Sequence, residues 1–120
     1  MVQHYRQLIA WRKAIAMVDE IYRMTHAFPR EEIYGLTSQM RRAAISVPSN
    51  IAEGQGRQSK GEFIQFLGQA YGSLLEVETQ TTIACNLGYL DPEHADDVLS
   101  QTSEVGRIIN GLIASLTTDH

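Results

Sequence analysis

The side chains best suited to chemistry in this sequence are four cations on either side of a proline. Arg41 and Arg42 precede Pro48, and Arg57 and Lys60 lie in the glycine-rich stretch EGQGRQSKGE that follows it. Guanidinium and ammonium groups bind phosphate through charge-assisted hydrogen bonds. These four residues therefore indicate an anion site, with nucleic acid as the partner that presents many phosphates.

The glycine-rich stretch carries the stronger indication of phosphate binding. The spacing of Ser59 and Glu62 is that of a capping box, which predicts that a helix begins here. Free backbone N–H groups and the dipole at a helix N-terminus favour an anion. Arg57 and Lys60 would add two cations to that site. The GQGR segment lacks a preceding strand and a third spaced glycine, so it is read as a turn and not as a nucleotide-binding loop.

The arginine pair before the proline allows two interpretations. In the favoured one, Arg41 and Arg42 form ion pairs with carboxylates of the same or a neighbouring subunit, the candidates being Glu53, Glu76 and Glu78. In the other, both arginines bind phosphate. The choice depends on which carboxylates the fold brings close.

Residues for catalysis or metal binding do not form a recognisable pattern. The four histidines, His4, His26, His94 and His120, are scattered, and Asp91 and His94 form an unrepeated approximation to a di-iron motif. Cys85 is interpreted as a packed thiol, since no basic residue lies near it in the sequence. No motif in the sequence combines a nucleophile, a general base and a donor to an oxyanion, the three groups that an active site for acyl transfer needs. We expect no enzyme activity, no metal and no cofactor.

Four amphipathic helices must carry these residues. Apolar side chains recur every three to four positions in four segments separated by turn residues. The first stripe is Leu8, Trp11, Ile15, Val18, Tyr22 and Thr25, the second is Leu36, Met40, Ala43, Val47 and Ile51, and the third extends from Phe63 to Leu87. The fourth, from Ala95 to Leu116, follows Asp91 as an N-cap. The predicted fold is all-α, an up-down-up-down four-helix bundle forming a single domain over residues 1–120.

Pro48 lies inside the second of these helices. A proline there removes one backbone donor and presses its ring on the carbonyl four residues earlier, that of Ala44. The apolar spacing nevertheless continues through the proline, because Val47 and Ile51 stay in phase with Met40. We therefore predict one continuous helix with a kink at Pro48.

Two polar residues close to this proline are assigned a structural role. Asn50 and Gln39 either cap carbonyls strained by the proline or hydrogen-bond a neighbouring subunit and fix its register, as a buried Asn does in some coiled coils. Trp11, Tyr22, Tyr34 and Tyr71 are interpreted as core and interface anchors.

Charge is distributed unevenly along the chain. Residues 1–60 contain nine Lys and Arg against five Asp and Glu, a net +4, whereas residues 61–120 contain one against nine, a net −8. Arg12 and Lys13 are expected on a solvated face of the first helix, where they extend a basic surface. The overall charge of −4 excludes a protein that coats DNA by being basic throughout.

The compartment follows from what the sequence contains. No apolar run approaches the roughly 20 residues needed to span a bilayer, and the N-terminus lacks the apolar core of a secretory signal. A single cysteine fits a reducing environment. We expect a cytoplasmic protein with no membrane partner.

The segment from Leu8 to Arg57 resembles a known family. The matching residues are Gly35-Leu36, Gln39, Arg41-Arg42-Ala43-Ala44 and the run from Ser46 to Gly54, which contains Pro48, Asn50 and Glu53; further matches are Phe63, Gly72-Ser73, Glu76 and the stretch LGYL. In these residues the chain is similar to four-helix-bundle proteins named for intervening sequences in bacterial 23S ribosomal RNA genes. The likeness extends over nearly the whole chain.

The resemblance implies a bundle that assembles into a ring, typically a homopentamer, and supplies no settled biochemical role. Accessory proteins of diversity-generating retroelements are related, have a similar pentameric bundle, and bind nucleic acid and a reverse transcriptase through basic surface. By that analogy we expect a non-enzymatic oligomer that binds RNA or a nucleic-acid-handling protein. The alternative is a scaffold that assembles as a ring without nucleic acid.

Overall fold

The chain forms four α-helices that pack side by side in an antiparallel arrangement. The structure, a computed structural model, describes residues 4–118. Its helices are α1 Ile9–Thr25, α2 Leu36–Gln55, α3 Lys60–Asn86 and α4 Pro92–Thr118, with short 3-10 turns at Tyr5–Gln7 and Arg30–Glu32. No strand occurs within these residues. The predicted all-α, up-down-up-down bundle is confirmed.

Helices α3 and α4 begin at side-chain caps that the sequence predicts. Ser59 Oγ accepts a hydrogen bond of 3.0 Å from the Glu62 N–H at the start of α3. Asp91 Oδ1 accepts one of 2.7 Å from the His94 N–H at the start of α4. Gly88, just beyond α3, has a φ of 81°, a left-handed conformation that glycine adopts without strain.

Helix α2 continues through its proline, as predicted. Pro48 is buried within a helix that extends from Leu36 to Gln55. Asn50 Nδ2 donates hydrogen bonds of 2.9 Å to the carbonyl and to Oγ of Ser46. Asn50 thus hydrogen-bonds within its own helix. The carbonyl that it binds is that of Ser46, whereas Pro48 removes the helical donor of the Ala44 carbonyl, so the capping of a carbonyl strained by the proline stays a prediction.

The buried face of α1 differs from the prediction. The side chains inside the bundle are Ala10, Ala14, Met17, Ile21 and Met24. Of the predicted stripe, Thr25 is buried. Trp11, Ile15 and Val18 lie one row away and are half-buried, and Tyr22 is 40% exposed. Both rows of α1 are apolar, and the row with two alanines lies inside because small side chains let helices approach closely. The bulkier row covers the crevice between α1 and α2.

Helices α2 and α3 approach closely at Gly54. A Cβ at this position would lie 2.6 Å from Phe66 Cβ and 3.1 Å from the Phe63 ring. Gly54 is buried, so its role in the family-like motif is to let the two helices cross without a side chain between them. Most of the remaining core consists of the predicted stripes of α2, α3 and α4. Leu87, the last residue of the predicted α3 stripe, is an exception: it is 55% exposed because it lies beyond the end of α3.

Candidate functional site

The two ends of the bundle carry opposite charge. The basic end comprises residues 4–16, 46–73 and 104–118, which contain six Lys and Arg against three Asp and Glu, a net +3. The acidic end comprises residues 17–45 and 74–103, which contain four against ten, a net −6. The antiparallel fold thus converts a charge difference between halves of the sequence into a difference between ends of the molecule.

At the basic end, cations lie against aromatic rings at the start of the chain. The guanidinium of Arg6 is 5.7 Å from the centre of the Tyr5 ring and 6.0 Å from that of the Trp11 ring. The two rings contact each other edge to face at 5.2 Å. Arg12 Nε donates a 2.9 Å hydrogen bond to the Arg6 carbonyl, which holds a second guanidinium next to this group.

The turn between α2 and α3 brings Arg57 and Lys60 to the same end. The Arg57 guanidinium lies 4.9 Å from the centre of the Phe66 ring and forms a 2.9 Å ion pair with Glu53, four residues earlier. Both partners are substantially exposed. Lys60 is the exposed first residue of α3, beside the free N–H groups of that helix. Arg57 and Lys60 thus lie together at the start of α3, and anion binding there stays a prediction.

Lys13 pairs across helices and not along its own. Its Nζ lies 3.3 Å from Glu104 Oε2 of α4, and both side chains are nearly half exposed. An exposed pair of this kind contributes little to stability. Lys13 therefore remains on the solvated face that the sequence predicted for it.

Arg41 and Arg42 do not join the other predicted cations. Arg41 lies 14 residues before Gln55, the last residue of α2, which corresponds to roughly 21 Å along the helix, and Arg57 lies beyond that end. Arg41 Nε donates a 2.9 Å hydrogen bond to Thr25 Oγ1, and its guanidinium lies 4.5 Å from the centre of the Tyr22 ring. The four cations that are close in sequence therefore form two separate groups.

The ion pairs favoured for these two arginines are absent among the residues that the structure describes. The hydroxyl of Thr25 and the ring of Tyr22 bind Arg41 in place of a carboxylate. Two of the three candidate carboxylates have other partners: Glu53 binds Arg57, and Glu78 accepts a 2.8 Å hydrogen bond from Thr102. Sequence spacing could not reveal these partners because most of them lie on other helices.

At the acidic end, a carboxylate fixes the loop between α1 and α2. Glu32 Oε2 accepts a 2.7 Å hydrogen bond from the Tyr89 hydroxyl, and Oε1 accepts one of 3.1 Å from the Leu36 N–H at the start of α2. The Tyr89 hydroxyl, followed by the Leu36 N–H, lowers the pKa of Glu32. The same contact raises the pKa of Tyr89. Glu32 is thus a structural carboxylate.

A second carboxylate at this end joins α1 to α4. His94 Nε2 lies 2.8 Å from Glu20 Oε2, and Arg23 pairs with the other oxygen of Glu20 at 3.0 Å. The hydrogen bond with His94, and then the contact with Arg23, lower the pKa of Glu20. His94 is therefore engaged by Glu20 on another helix.

Cys85 lies closer to basic side chains than the sequence suggests. It is half-buried and lines an open cavity of about 530 Å³ at the acidic end, which Arg23 and His94 also line. Cys85 nevertheless packs against the hydrophobic core, as expected from the sequence, and α1 and α4 bring the two basic side chains to the same cavity. Within residues 4–118, no three histidine, cysteine or acidic side chains are arranged to hold a metal ion.

Comparison with known proteins identifies the family. The model of the 23S rRNA-intervening sequence protein family matches residues 6–111. The chain belongs to this family. A crystal structure of an S23 ribosomal protein family member of unknown function from Bacteroides thetaiotaomicron has 19% sequence identity and a TM-score of 0.79, with 88% of this chain and 98% of that chain covered. No curated protein matches the sequence.

Membership of the 23S rRNA-intervening sequence protein family agrees with the resemblance read from the motif around Pro48. The Bacteroides structure supports the fold, since its identity with this chain is low. Neither comparison assigns a function. None of the helices within residues 4–118 combines the length and the apolar character needed to cross a bilayer.

Sequence reasoning missed the aromatic component of the basic end. Tyr5 and Arg6 precede α1 in a one-turn 3-10 helix that is capped by His4, whose ring stacks on Tyr5 with 4.4 Å between the ring centres. The available signal was the alternation of aromatic and basic residues in the segment HYR, followed by Trp11 and Arg12. In contrast, Tyr34 is 95% exposed and is not a core residue, so of the two roles predicted for it only that of an interface anchor stays open.

Proposed function

We propose that this family member is a non-enzymatic, cytoplasmic oligomer that binds RNA, or a protein that handles nucleic acid, through its basic end. The observation that carries the proposal is the charge separation between the ends, +3 against −6. A protein of net charge −4 binds a polyanion only through a local surface of opposite sign. The basic end is such a surface.

Two groups of side chains would make the contacts. Arg57 and Lys60 flank the first turn of α3, so a phosphate there meets two cations and free backbone N–H groups. Arg6, Arg12 and Lys13 continue the positive surface at the start of α1. The exposed His4 ring, which stacks on Tyr5 beside Arg6, offers a stacking surface for an unpaired base, which favours RNA with single-stranded segments.

Titration of a hairpin RNA against the wild type and the double variant Arg57→Glu, Lys60→Glu tests this proposal. We expect the variant to bind at least about ten-fold more weakly at 50 mM salt. Loss of two phosphate contacts should also reduce the slope of log K against log salt concentration by roughly 1.5 to 2. Both quantities can be measured by fluorescence anisotropy.

The matched control is the double variant Arg23→Glu, Arg30→Glu. It changes the net charge by the same amount, but its exposed side chains lie at the acidic end. We expect the control to bind RNA almost as tightly as the wild type. If both variants lost the same affinity for RNA, net charge alone would explain the loss, and the basic end would not be the binding surface. If the wild type showed no salt-sensitive binding of RNA, the proposal would be rejected.

A ring-forming scaffold without nucleic acid is the second candidate, and exposed apolar surface favours it. A groove of about 260 Å³ between α1 and α2 is lined by Trp11, Ile15, Val18 and Ile45 among others. On α3, Leu75 and Ile83 are 45% and 43% exposed. Two different apolar faces suit the heterologous contacts that close a ring, for which the family resemblance implies five subunits.

Such a ring could be held by apolar burial or by attraction between basic and acidic ends. Measurement of the native mass at 50 mM and at 1 M salt distinguishes these two kinds of contact. We expect one oligomeric mass at both salt concentrations, since burial of the apolar faces is insensitive to screening. A ring that dissociates at high salt would indicate that basic ends dock on acidic ends of neighbours. Monomers at micromolar concentration would contradict assembly by either route.

A further inference from the structure

A groove between α2 and α3 contains polar side chains that no other part of the described structure engages. It has a volume of about 290 Å³ and lies midway along the bundle, away from the cations of the basic end. Its floor is made of small residues, Ala43, Ser46 and Ser73, and the two serine hydroxyls hydrogen-bond each other at 2.9 Å. We call it the polar groove.

The two rims of the polar groove differ in chemistry. Gln39 and Arg42, three residues apart on α2, form one rim, and Glu76 and Gln80, four residues apart on α3, form the other. The α2 rim contains a guanidinium, which only donates hydrogen bonds, and the α3 rim contains a carboxylate, which only accepts them. A positive rim thus faces a negative rim.

These rim side chains lack partners within residues 4–118. Arg42 and Glu76 are exposed on opposite rims and form no ion pair with each other or with any other described residue. Gln80 Oε1 is buried and accepts no hydrogen bond from a described residue. A buried carbonyl oxygen without a donor is unfavourable, so a ligand that supplies an N–H group would satisfy it.

We propose that the polar groove binds a small zwitterion of the α-amino-acid type. The carboxylate of the ligand would bind the Arg42 guanidinium and the Gln39 amide. Its ammonium group would donate to the Glu76 carboxylate and to Gln80 Oε1. A ligand with only one charge would be repelled by one rim, and a phosphate in particular would face Glu76.

The size and openness of the groove limit the side chain of the ligand. The floor is shallow because Ala43, Ser46 and Ser73 are small, so it accommodates the backbone of an amino acid. The side chain would point along the groove or into solvent. We therefore expect recognition of the zwitterion itself, with weak discrimination among small side chains. This inference is independent of RNA binding, which involves the basic end.

Titration of the full-length protein with L-alanine, followed by amide nitrogen–proton correlation spectra, tests the proposal. The matched probes are propionate, which lacks the ammonium group, and ethylammonium, which lacks the carboxylate. We expect saturable shifts of amides in residues 39–46 and 73–80 with L-alanine. We expect each single-charge probe to bind at least about ten-fold more weakly, as for loss of one charged hydrogen-bonding group.

Variants of the rims complete the test. Arg42→Gln and Glu76→Gln each remove one charge at an exposed helix position, and each should weaken L-alanine binding by about ten-fold or more. Arg107→Gln, an exposed charge on α4, should leave binding unchanged. The exchange Arg42→Glu with Glu76→Arg should restore most of the affinity, since the zwitterion can bind in the reverse orientation.

Three outcomes would overturn the proposal. The first is the absence of shifts in residues 39–46 and 73–80 at 50 mM L-alanine. The second is equal binding of all three probes, which would indicate non-specific ionic contact. The third is a change in oligomeric mass on Arg42→Gln or Glu76→Gln with unchanged affinity for L-alanine, which would make the groove a contact between subunits.

Discussion

The acidic and the basic ends of this bundle use charged side chains differently. At the acidic end, Glu32 joins the α1–α2 loop to Tyr89, and Glu20 joins α1 to His94 of α4. At the basic end, Arg57 pairs with a residue four positions away on the same chain segment. The Lys13–Glu104 pair of the basic end also joins α1 to α4, but both of its side chains are nearly half exposed. Charged contacts at the acidic end therefore restrain a loop and the start of α4, whereas at the basic end they lie on the surface.

The difference shows how one bundle can separate stability from binding. A contact between distant elements restrains them, and losing it frees a loop or a helix end. An exposed ion pair between neighbouring residues contributes little to the stability of the fold. Its cation can therefore leave the carboxylate and bind a phosphate at small energetic cost. We infer that packing holds the basic end together and that its charges are available to a partner.

The substitution Gly54→Ala tests whether packing holds the basic end and should have the largest effect on stability. The new Cβ would meet Phe66 Cβ at 2.6 Å, and a backbone-attached carbon cannot move aside as the end of a flexible side chain can. We expect a loss of about 1–3 kcal/mol in the free energy of unfolding, the usual range for overpacking. Urea denaturation followed by circular dichroism measures it.

Gly68→Ala provides the control for that substitution. Gly68 lies in the middle of α3, and no atom would come within 4 Å of its Cβ. Alanine should therefore stabilise the helix by roughly 0.5–1 kcal/mol. If both alanine variants were stabilised, the close crossing at Gly54 would not exist, and the basic end would need another explanation for its integrity.

The substitution Glu32→Gln tests the structural role of charge at the acidic end. Glutamine keeps the shape but removes the charged acceptor for Tyr89 and for the N–H of Leu36. Because the pKa of Glu32 is lowered from its usual 4.5 in the folded state, its contribution is complete above pH 4.5. That contribution is lost as pH falls through the lowered value.

We therefore expect the wild type to be more stable than Glu32→Gln at neutral pH and the difference to shrink as pH falls below 4.5. Melting temperatures from pH 7 to pH 3 measure this convergence. Glu31→Gln is the control, because Glu31 is an exposed neighbour with the same charge. Parallel curves for wild type and Glu32→Gln would show that the carboxylate does not fix the loop.

The fold was predictable because its signals are local and repeated. Each of these signals concerns residues within one or two helical turns of one another. They are the apolar periodicity, the caps at Ser59 and Asp91, and the phase of Val47 with Ile51 across Pro48. The buried face of α1 was not predictable in this way. Two adjacent apolar rows compete there, and the choice depends on how closely the neighbouring helices pack.

The candidate site was predictable only in part. Arg57 and Lys60 were assigned correctly to a helix start, and the continuous α2 already implies that Arg41 lies far from them. The partners of Arg41 could not be predicted, since Thr25 lies on another helix. The rims of the polar groove pair residues of α2 with residues of α3, and no local spacing indicates such a pairing.

The substitution Arg57→Ala should have the smallest effect on stability and the most selective effect on binding. The arginine side chain is 42% exposed, and its partners are Glu53, four residues away, and the face of Phe66. Together such contacts are worth less than about 1 kcal/mol. We expect an almost unchanged urea midpoint with a several-fold weaker affinity for hairpin RNA, and Arg57→Lys should retain part of that affinity because it keeps the charge.

A loss of more than about 2 kcal/mol in unfolding free energy would be too large for an exposed pair. It would show that the basic end, like the acidic one, depends on its charges for folding.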